Sequence, residues 1–407
     1  MLKISDKAEF IINSLEEEGF QAYAVGGCVR DMLLGKEPFD WDIATSALPQ
    51  TVIKVFDGYN VIPTGIRHGT VTVVLEHEPF EITTFRKEDI YTAHRRPESV
   101  SFVQELAEDL RRRDFTINAM AYNPRRGLFD FFNGREDLQA GLIKCVGEPQ
   151  LRFEEDALRI MRALRFASAY GFKIEEQTGR ALRSCAHYLE DISMERINSE
   201  FNKFLLGKGF YQLMQEWAEM VYSAVCMPPA SEERLRAVCY APQVLDIRLA
   251  LLFENSETAG KVLKGLKYDN RTIHAVLPIV QRLKEQENEI PEVKKVLSIL
   301  GKENYLKLLA ARKAYEKAAG VDLDSGHTSS LMEGIIDRDE CVSLRQLAVK
   351  GGDICGLAEG ALIGQILKAL LAEVIEEKLP NKKELLMQRA EQLAKKHEAL
   401  RCDKSEV

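Results

Sequence analysis

Two aspartates, Asp40 and Asp42, stand one residue apart in the stretch FDWDIAT. The apolar residues around them predict a strand, in which side chains i and i+2 point to the same face. Two carboxylates held side by side repel each other, and one then resists ionisation. A divalent cation between them removes that conflict, and Mg²⁺ commonly takes one or two carboxylates together with substrate phosphates. Two such ions can activate an attacking oxygen and stabilise a leaving one. Upstream, Gly26 and Gly27 are predicted to end a strand and open a helix at VRDMLLG. Glycine lets phosphate oxygens approach backbone N–H groups, and a helix N-terminus favours anions. Arg30, in the first turn, offers a charge-assisted contact to the same group. A carboxylate pair alone fits two exposed strand acids equally well. The glycine pair at this spacing shifts the reading to phosphate chemistry on a metal.

A second constellation lies in EEDALRIMRALRF (residues 154–166), where Asp156 and Arg159 are three apart. On a helix they are neighbours on one face, and a solvated ion pair is the plain reading. The same two groups also match a base edge. Adenine and cytosine both present an exocyclic amine beside an unprotonated ring nitrogen, so a carboxylate can accept from the amine while a guanidinium donates to the nitrogen. Guanine and uracil present a carbonyl and an N–H there and meet like with like. Arg162 and Arg165 continue the spacing, each step turning about −60° around a 3.6-residue helix. Arg165 is therefore expected opposite Asp156, with Arg162 and Arg165 on phosphates or primer. Glu81, mid-strand in FEITTF, reads either as a third carboxylate near the metals or as a surface residue. His68, beside Gly69, reads as a turn residue.

The elements that must position these groups follow from periodicity. Residues 20–25, 71–76, 80–84 and 100–103 read as short strands, with helical stretches such as 27–34 and 115–122 between them. From about Phe153 onward strand signals almost vanish, and Pro228–Pro229 and the stretch 320–328 punctuate a helical remainder. The fold class expected is an α+β head followed by an elongated all-α remainder. With 407 residues, 45% of them hydrophobic, the chain can build two to four domains. No apolar run approaches the roughly 18 residues of a membrane span, so no membrane partner is expected. Residues 1–18 read as an amphipathic helix, not a signal peptide, which points to the cytoplasm. Eight scattered cysteines without a CxxC pair point to reduced thiols. A net charge of −8 means that any nucleic-acid contact must be local. The clearest local candidate is the basic run from Lys261 to Lys284, which contains Lys264, Lys267, Arg271 and Arg282.

Gly-Gly followed by DxD resembles the signature of polymerase-beta-type nucleotidyltransferases. The stretch from Gly26 to Pro49 looks like their class II branch, the tRNA nucleotidyltransferase/poly(A) polymerase family. TGIRHGTV (64–71), RRPESVSF (95–102), RRDFTINAMAY (112–122), EEDALRIMRALRF (154–166) and the tail segment 360–386 match in order. The resemblance implies a polymerase-beta-type sheet in a head spanning 1–145. It also implies a helical neck with base recognition at 146–205, an RNA-binding helical body at 206–320 and a tRNA-binding helical tail at 321–407. It implies Mg²⁺ on Asp40 and Asp42, and CTP, ATP and tRNA as partners. The implied activity is addition of CCA to tRNA 3′ ends. Its implied nucleotide-binding residues are Gly27, Arg30, Arg113, Asp156, Arg159, Arg162 and Arg165. The alternatives are an A-adding or CC-adding enzyme, a poly(A) polymerase and, last, a non-catalytic tRNA-binding protein. Poly(A) polymerases typically carry a Gly-basic-basic-Phe run where this chain has TGIRHGTV, and CC-adding relatives lack a loop ending in RRP, which is present at 95–97. The charged stretch 86–100 is expected to be a surface loop that gates the change from C to A addition.

Overall fold

The computed structural model describes residues 2–63, 65–88 and 100–402. The chain divides into two compact units, Met1–Pro229 with Gly265–Tyr268 and Ala230–Lys264 with Asp269–Val407. The first unit runs α1 (Asp6–Glu17), β1 (Ala22–Val25), α2 (Gly27–Leu33), β2 (Asp42–Thr45), α3 (Pro49–Val55), β3 (Asn60–Ile62), β4 (Thr70–Leu75) and β5 (Glu78–Thr84). The paired strands β6 (Arg86–Glu88) and β7 (Val100–Phe102) follow, then α4 (Leu106–Arg111), β8 (Met120–Asn123), β9 (Gly127–Asp130) and α5 (Gly134–Ala140). Five helices complete it: α6 (Pro149–Glu155), α7 (Leu158–Tyr170), α8 (Glu176–Cys185), α9 (Met194–Leu206) and α10 (Phe210–Ala224).

Seven strands form the main sheet in the order β3-β4-β5-β2-β1-β8-β9. Only β2 and β5 pair in parallel within it, with Asp42 opposite Glu81. β4 alternates buried and half-buried residues, the pattern of a strand with one face on the core, whereas all four residues of β1 are buried. α1 begins where the Ser5 hydroxyl accepts the Ala8 N–H at 3.1 Å. It buries Ala8, Ile11, Ile12 and Leu15 and packs against β1. The α+β head forms largely as its strand and helix signals predict; β6 and the first residue of β7 fall inside the stretch 86–100 expected to be a loop, and a second departure is a change of element type. The segment 115–122, read as a helix, is a short 3₁₀ turn (Thr116–Asn118) followed by strand β8. β8 lies between β1 and β9 with every residue buried. A strand buried on both faces loses its alternation, and its alanine and methionine then imitate a helix.

The second unit is helical: α11 (Glu232–Tyr240), α12 (Leu245–Leu251), α13 (Ser256–Gly265), α14 (Asn270–Arg282), α15 (Ile290–Ala319), α16 (Ser325–Asp337), α17 (Gly351–Ile354), α18 (Ala361–Ile375) and α19 (Lys383–Cys402). The unit boundary falls directly after Pro228–Pro229. Within α15, Gly301 adopts φ 72° and breaks the helical path. The basic run is not a continuous cationic face. Lys261 pairs with Glu257, Arg282 with Glu285 and Lys284 with Glu254, while Lys264, Lys267 and Arg271 are exposed.

Candidate active site

A cavity of about 670 Å³ in the first unit gathers every predicted site residue: Gly27, Arg30, Asp40, Asp42, Arg113, Asp156, Arg159, Arg162 and Arg165. Its lining carries seven arginines against four aspartates.

The carboxylate end sits where β1 turns into α2 and β2 begins. Asp42 is the first residue of β2, but Asp40 precedes the strand, in a bend. The two therefore do not share a strand face as their spacing suggested; the bend brings Asp40 to the cavity wall instead. Burial pushes the Asp42 carboxyl up to about 6, Arg113 pulls it down, and Asp40 and Glu81 push it up again. An ionised Asp42 is thus under-compensated by the protein itself. Hard carboxylate oxygens facing a cavity, with their ionised form short of positive charge, fit a divalent cation. No group of three or more metal-ligating side chains exists among the described residues. Glu81 is exposed on β5 and acts on Asp42 through charge.

Gly26 is required twice over. Its φ is 73°, a region that L side chains avoid, and a Cβ there would stand 2.8 Å from Arg113 Nη1. The close approach lays Arg113 across the start of α2, where Asp109 Oδ2 accepts from its Nη2 at 3.2 Å. Arg113 Nε is buried without a hydrogen-bond acceptor among the described residues, and the residue lines the cavity. Gly26→Ala is expected to lower stability by about 1–2 kcal/mol through backbone strain. It should also raise the KM for nucleotide by displacing Arg113; thermal unfolding and steady-state kinetics check both. Arg30 is fixed rather than free. Its Nη1 donates to Asn118 Oδ1 at 2.6 Å, Nε and Nη2 donate to Asp31, and its guanidinium lies 4.8 Å from the Tyr170 ring centre.

At the other end Asp156 is not on a helix with Arg159. It occupies the break between α6 and α7 with extended backbone, φ −140° and ψ 100°. Its Oδ1 accepts the Leu158 N–H at 3.2 Å, and Arg196 Nη2 donates to its two oxygens at 3.3 and 3.0 Å. Arg159 turns elsewhere, donating to the Arg152 carbonyl, to Glu155 at 2.5 Å and to the Arg112 carbonyl. The i,i+3 ion pair expected of a solvated helix is absent, and both groups face the cavity instead. The expectation that Arg165 lies opposite Asp156 assumed one continuous helix through residue 156, and the chain breaks there. Arg162 Nε donates to Asp114 Oδ2 at 2.7 Å. Burial opposes ionisation of Asp114, but Arg162 outweighs it and holds the carboxyl down at about 2. Arg165 ion-pairs with Glu200 at 2.9 Å and lies 3.9 Å from the Phe166 ring centre.

Sequence reasoning missed the groups that hold these arginines in place. Asp109 is fully buried and binds Arg112 and Arg113 together; Asp114 and Arg196 hold Arg162 and Asp156. Asp114 stood in the matched RRDFT stretch and carried a signal. Arg196 carried none, since it reaches the site from α9, forty residues away in sequence. His68 ends a short 3₁₀ turn before Gly69, which has φ 82°. The stretch 89–99, with Arg95, Arg96 and Pro97, lies outside the described residues, and so does the gating role expected of it.

A polymerase-beta-type sheet that presents two carboxylates to an arginine-lined cavity defines the class, a nucleotidyltransferase. The family model for the poly A polymerase head domain matches residues 22–144. That for an RNA- and SrmB-binding site of polymerase A matches 171–220, and that for tRNA nucleotidyltransferase domain 2 matches 247–390. The CCA-adding enzyme of Ligilactobacillus salivarius is 34% identical over 404 residues, covering 95% of this chain and 96% of that protein. That of Limosilactobacillus fermentum is 36% identical over 411 residues, covering 96% and 97%. Among solved structures, the Bacillus stearothermophilus CCA-adding enzyme in complex with CTP superposes with a TM-score of 0.79 at 31% identity, covering 97% and 98%. The chain belongs to the class II tRNA nucleotidyltransferases, the family of CCA-adding enzymes.

Proposed function

We propose that this single cavity carries out the whole reaction, with the carboxylate end performing the chemistry and the α6–α7 break choosing the base. The chain is an enzyme that adds CCA to the 3′ end of tRNA from CTP and ATP without a nucleic-acid template. The 3′-hydroxyl of tRNA attacks the α-phosphorus, a new P–O bond forms, the bond to the β-phosphate oxygen breaks, and pyrophosphate leaves. Asp40 and Asp42 are the proposed ligands of a divalent cation, Mg²⁺ in this reading, which when bound lowers the pKa of the attacking hydroxyl and neutralises charge on the leaving oxygens. Arg113 and the Gly26–Gly27 backbone receive triphosphate oxygens. Arg30 stiffens the start of α2 and adds positive charge. Asp156 accepts from the exocyclic amine of cytosine or adenine, and Arg159 donates to the adjacent ring nitrogen. Arg162 and Arg165 face phosphate or primer. The observation that carries this assignment is the meeting of Asp40, Asp42, Asp156 and Arg159 in one cavity although 116 residues separate the first from the third.

We further propose that the head (1–145), neck (146–205), body (206–320) and tail (321–407) divide the work between chemistry, base recognition and tRNA binding. A tRNA substrate and free cysteines suit a cytoplasmic location. Among the described residues no helix is long and apolar enough to cross a membrane. The deciding experiment incubates the purified protein with tRNA lacking CCA, supplies labelled CTP and ATP singly and together, and sizes the products. CCA addition requires two C additions from CTP and one A addition only afterwards. A product stopped at CC, A addition alone, or a long poly(A) tail would each select one of the alternatives.

Lys264 and Lys267 retain the proposed tRNA-phosphate role assigned to the basic run. Charge reversal at both is expected to weaken tRNA binding and to flatten its salt dependence by roughly 0.7–0.9 in log–log slope for each phosphate no longer neutralised. An unchanged slope assigns both lysines to a solvated surface.

A further inference from the structure

Phe39 is fully exposed, at 101% of its reference area, yet it lines the cavity and directly precedes Asp40. An isolated exposed apolar side chain is ordinary on a protein surface. This one differs in its placement. Consecutive Cα atoms are about 3.8 Å apart, so the ring cannot be far from the carboxylates. Pro38 fixes its own φ just before Phe39 and thereby limits the freedom of the approach. The other aromatic side chain in the lining, Phe166, is buried, and its ring is occupied by the guanidiniums of Arg30, Arg162 and Arg165 at 5.4, 5.3 and 3.9 Å. Among the described lining residues, Phe39 therefore offers the bare aromatic face.

We infer that Phe39 is a stacking platform for the 3′-terminal base of the RNA being extended. The inference rests on the proposed roles of Asp40 and Asp42. The base of the incoming nucleotide is read at Asp156 and Arg159, at the α6–α7 break. The attacking 3′-hydroxyl must lie at the carboxylates, on the side away from the departing pyrophosphate. The nucleotide that bears this hydroxyl is thus the one beside Phe39. Stacking suits this task because it accepts any base: the RNA terminus changes after every addition, and every base has a π-face. A phenyl ring fixes the plane of the terminal nucleotide without reading its identity, which leaves selection to Asp156 and Arg159.

The test is a double-mutant cycle between the ring and the base. Wild type, Phe39→Ala and Phe39→Trp are assayed for the first C addition on tRNA lacking CCA, and on the same tRNA with an abasic 3′-terminal ribose. On the intact primer, Phe39→Ala is expected to lower kcat/KM for tRNA roughly ten-fold, with the KM for CTP unchanged and Phe39→Trp close to wild type. On the abasic primer the Ala variant and wild type should be equal. The same ten-fold loss on both primers, or a changed KM for CTP, overturns the stacking role. Failure of wild type to extend the intact primer overturns instead the reading of the site on which this inference stands. Because Phe39 is fully exposed, the substitution leaves the core untouched.

Discussion

Asp42→Asn is expected to abolish nucleotide addition, by about 10³-fold or more, while tRNA binding largely survives. The magnitude follows from removing several kcal/mol of metal-mediated charge stabilisation. The same variant should be more stable than wild type when no metal is bound. In the folded chain burial, opposed by Arg113 and reinforced by Asp40 and Glu81, raises the Asp42 carboxyl from 3.8 to about 6. The folded state consequently binds this proton more tightly than the unfolded chain does. The resulting stabilisation is fully present below pH 3.8 and is lost as pH rises through 6, leaving an ionised Asp42 that costs on the order of 3 kcal/mol. Asparagine removes that cost. Thermal unfolding at pH 7.5 without divalent cation should therefore give a higher Tm for Asp42→Asn, and Mg²⁺ should raise the Tm of wild type more than that of the variant. Near-normal turnover in the variant, or an equal response of both proteins to Mg²⁺, removes Asp42 from the metal site.

Asp156→Asn is expected to relax base choice. Two of the three local hydrogen bonds survive the substitution. One oxygen can still accept the Leu158 N–H and the Arg196 Nη2 donor, as Oδ1 does now at 3.2 and 3.3 Å. The new amide N–H₂ then takes the position of Oδ2 and gives up the 3.0 Å acceptance from Arg196 Nη2, the one local bond lost. Where the carboxylate met the carbonyl of uracil or guanine with repulsion, the amide donates to it. A single well-placed base contact discriminates by about 1–3 kcal/mol, so incorporation of UTP and GTP relative to CTP and ATP should rise roughly ten-fold. Primer extension with each nucleotide alone measures the ratio. Wild-type selectivity in this variant would mean that Asp156 serves only to hold Arg196 and the α6–α7 break.

Much of this site was legible because its groups come in short local patterns. Gly26–Gly27 and Asp40–Asp42 flank one helix, and the chemistry proposed for them follows from their types and spacing. The partners Asp109, Asp114 and Arg196 were not legible as a network, since only the fold brings α4, α7 and α9 around one cavity. Asp156 shows how the same proposed role can be reached from a wrong local picture. The helical periodicity of residues 158–166 was extended backward through it, yet its own side chain takes the Leu158 N–H and ends that helix. β8 was misread for the opposite reason, because burial on both faces erased the alternation that marks a strand.

The charge of this molecule is unevenly placed, and the consequence is kinetic. The chain as a whole carries −8, while the proposed active-site cavity is lined by seven guanidiniums and four carboxylates. Nucleoside triphosphates are polyanions, so a net negative exterior disfavours them outside the cavity. For a nucleoside triphosphate, attraction to the cavity sets in within a Debye length of its mouth, about 8 Å at physiological ionic strength. The same inward attraction holds pyrophosphate after the bond has formed, which makes departure of the product a natural brake on turnover.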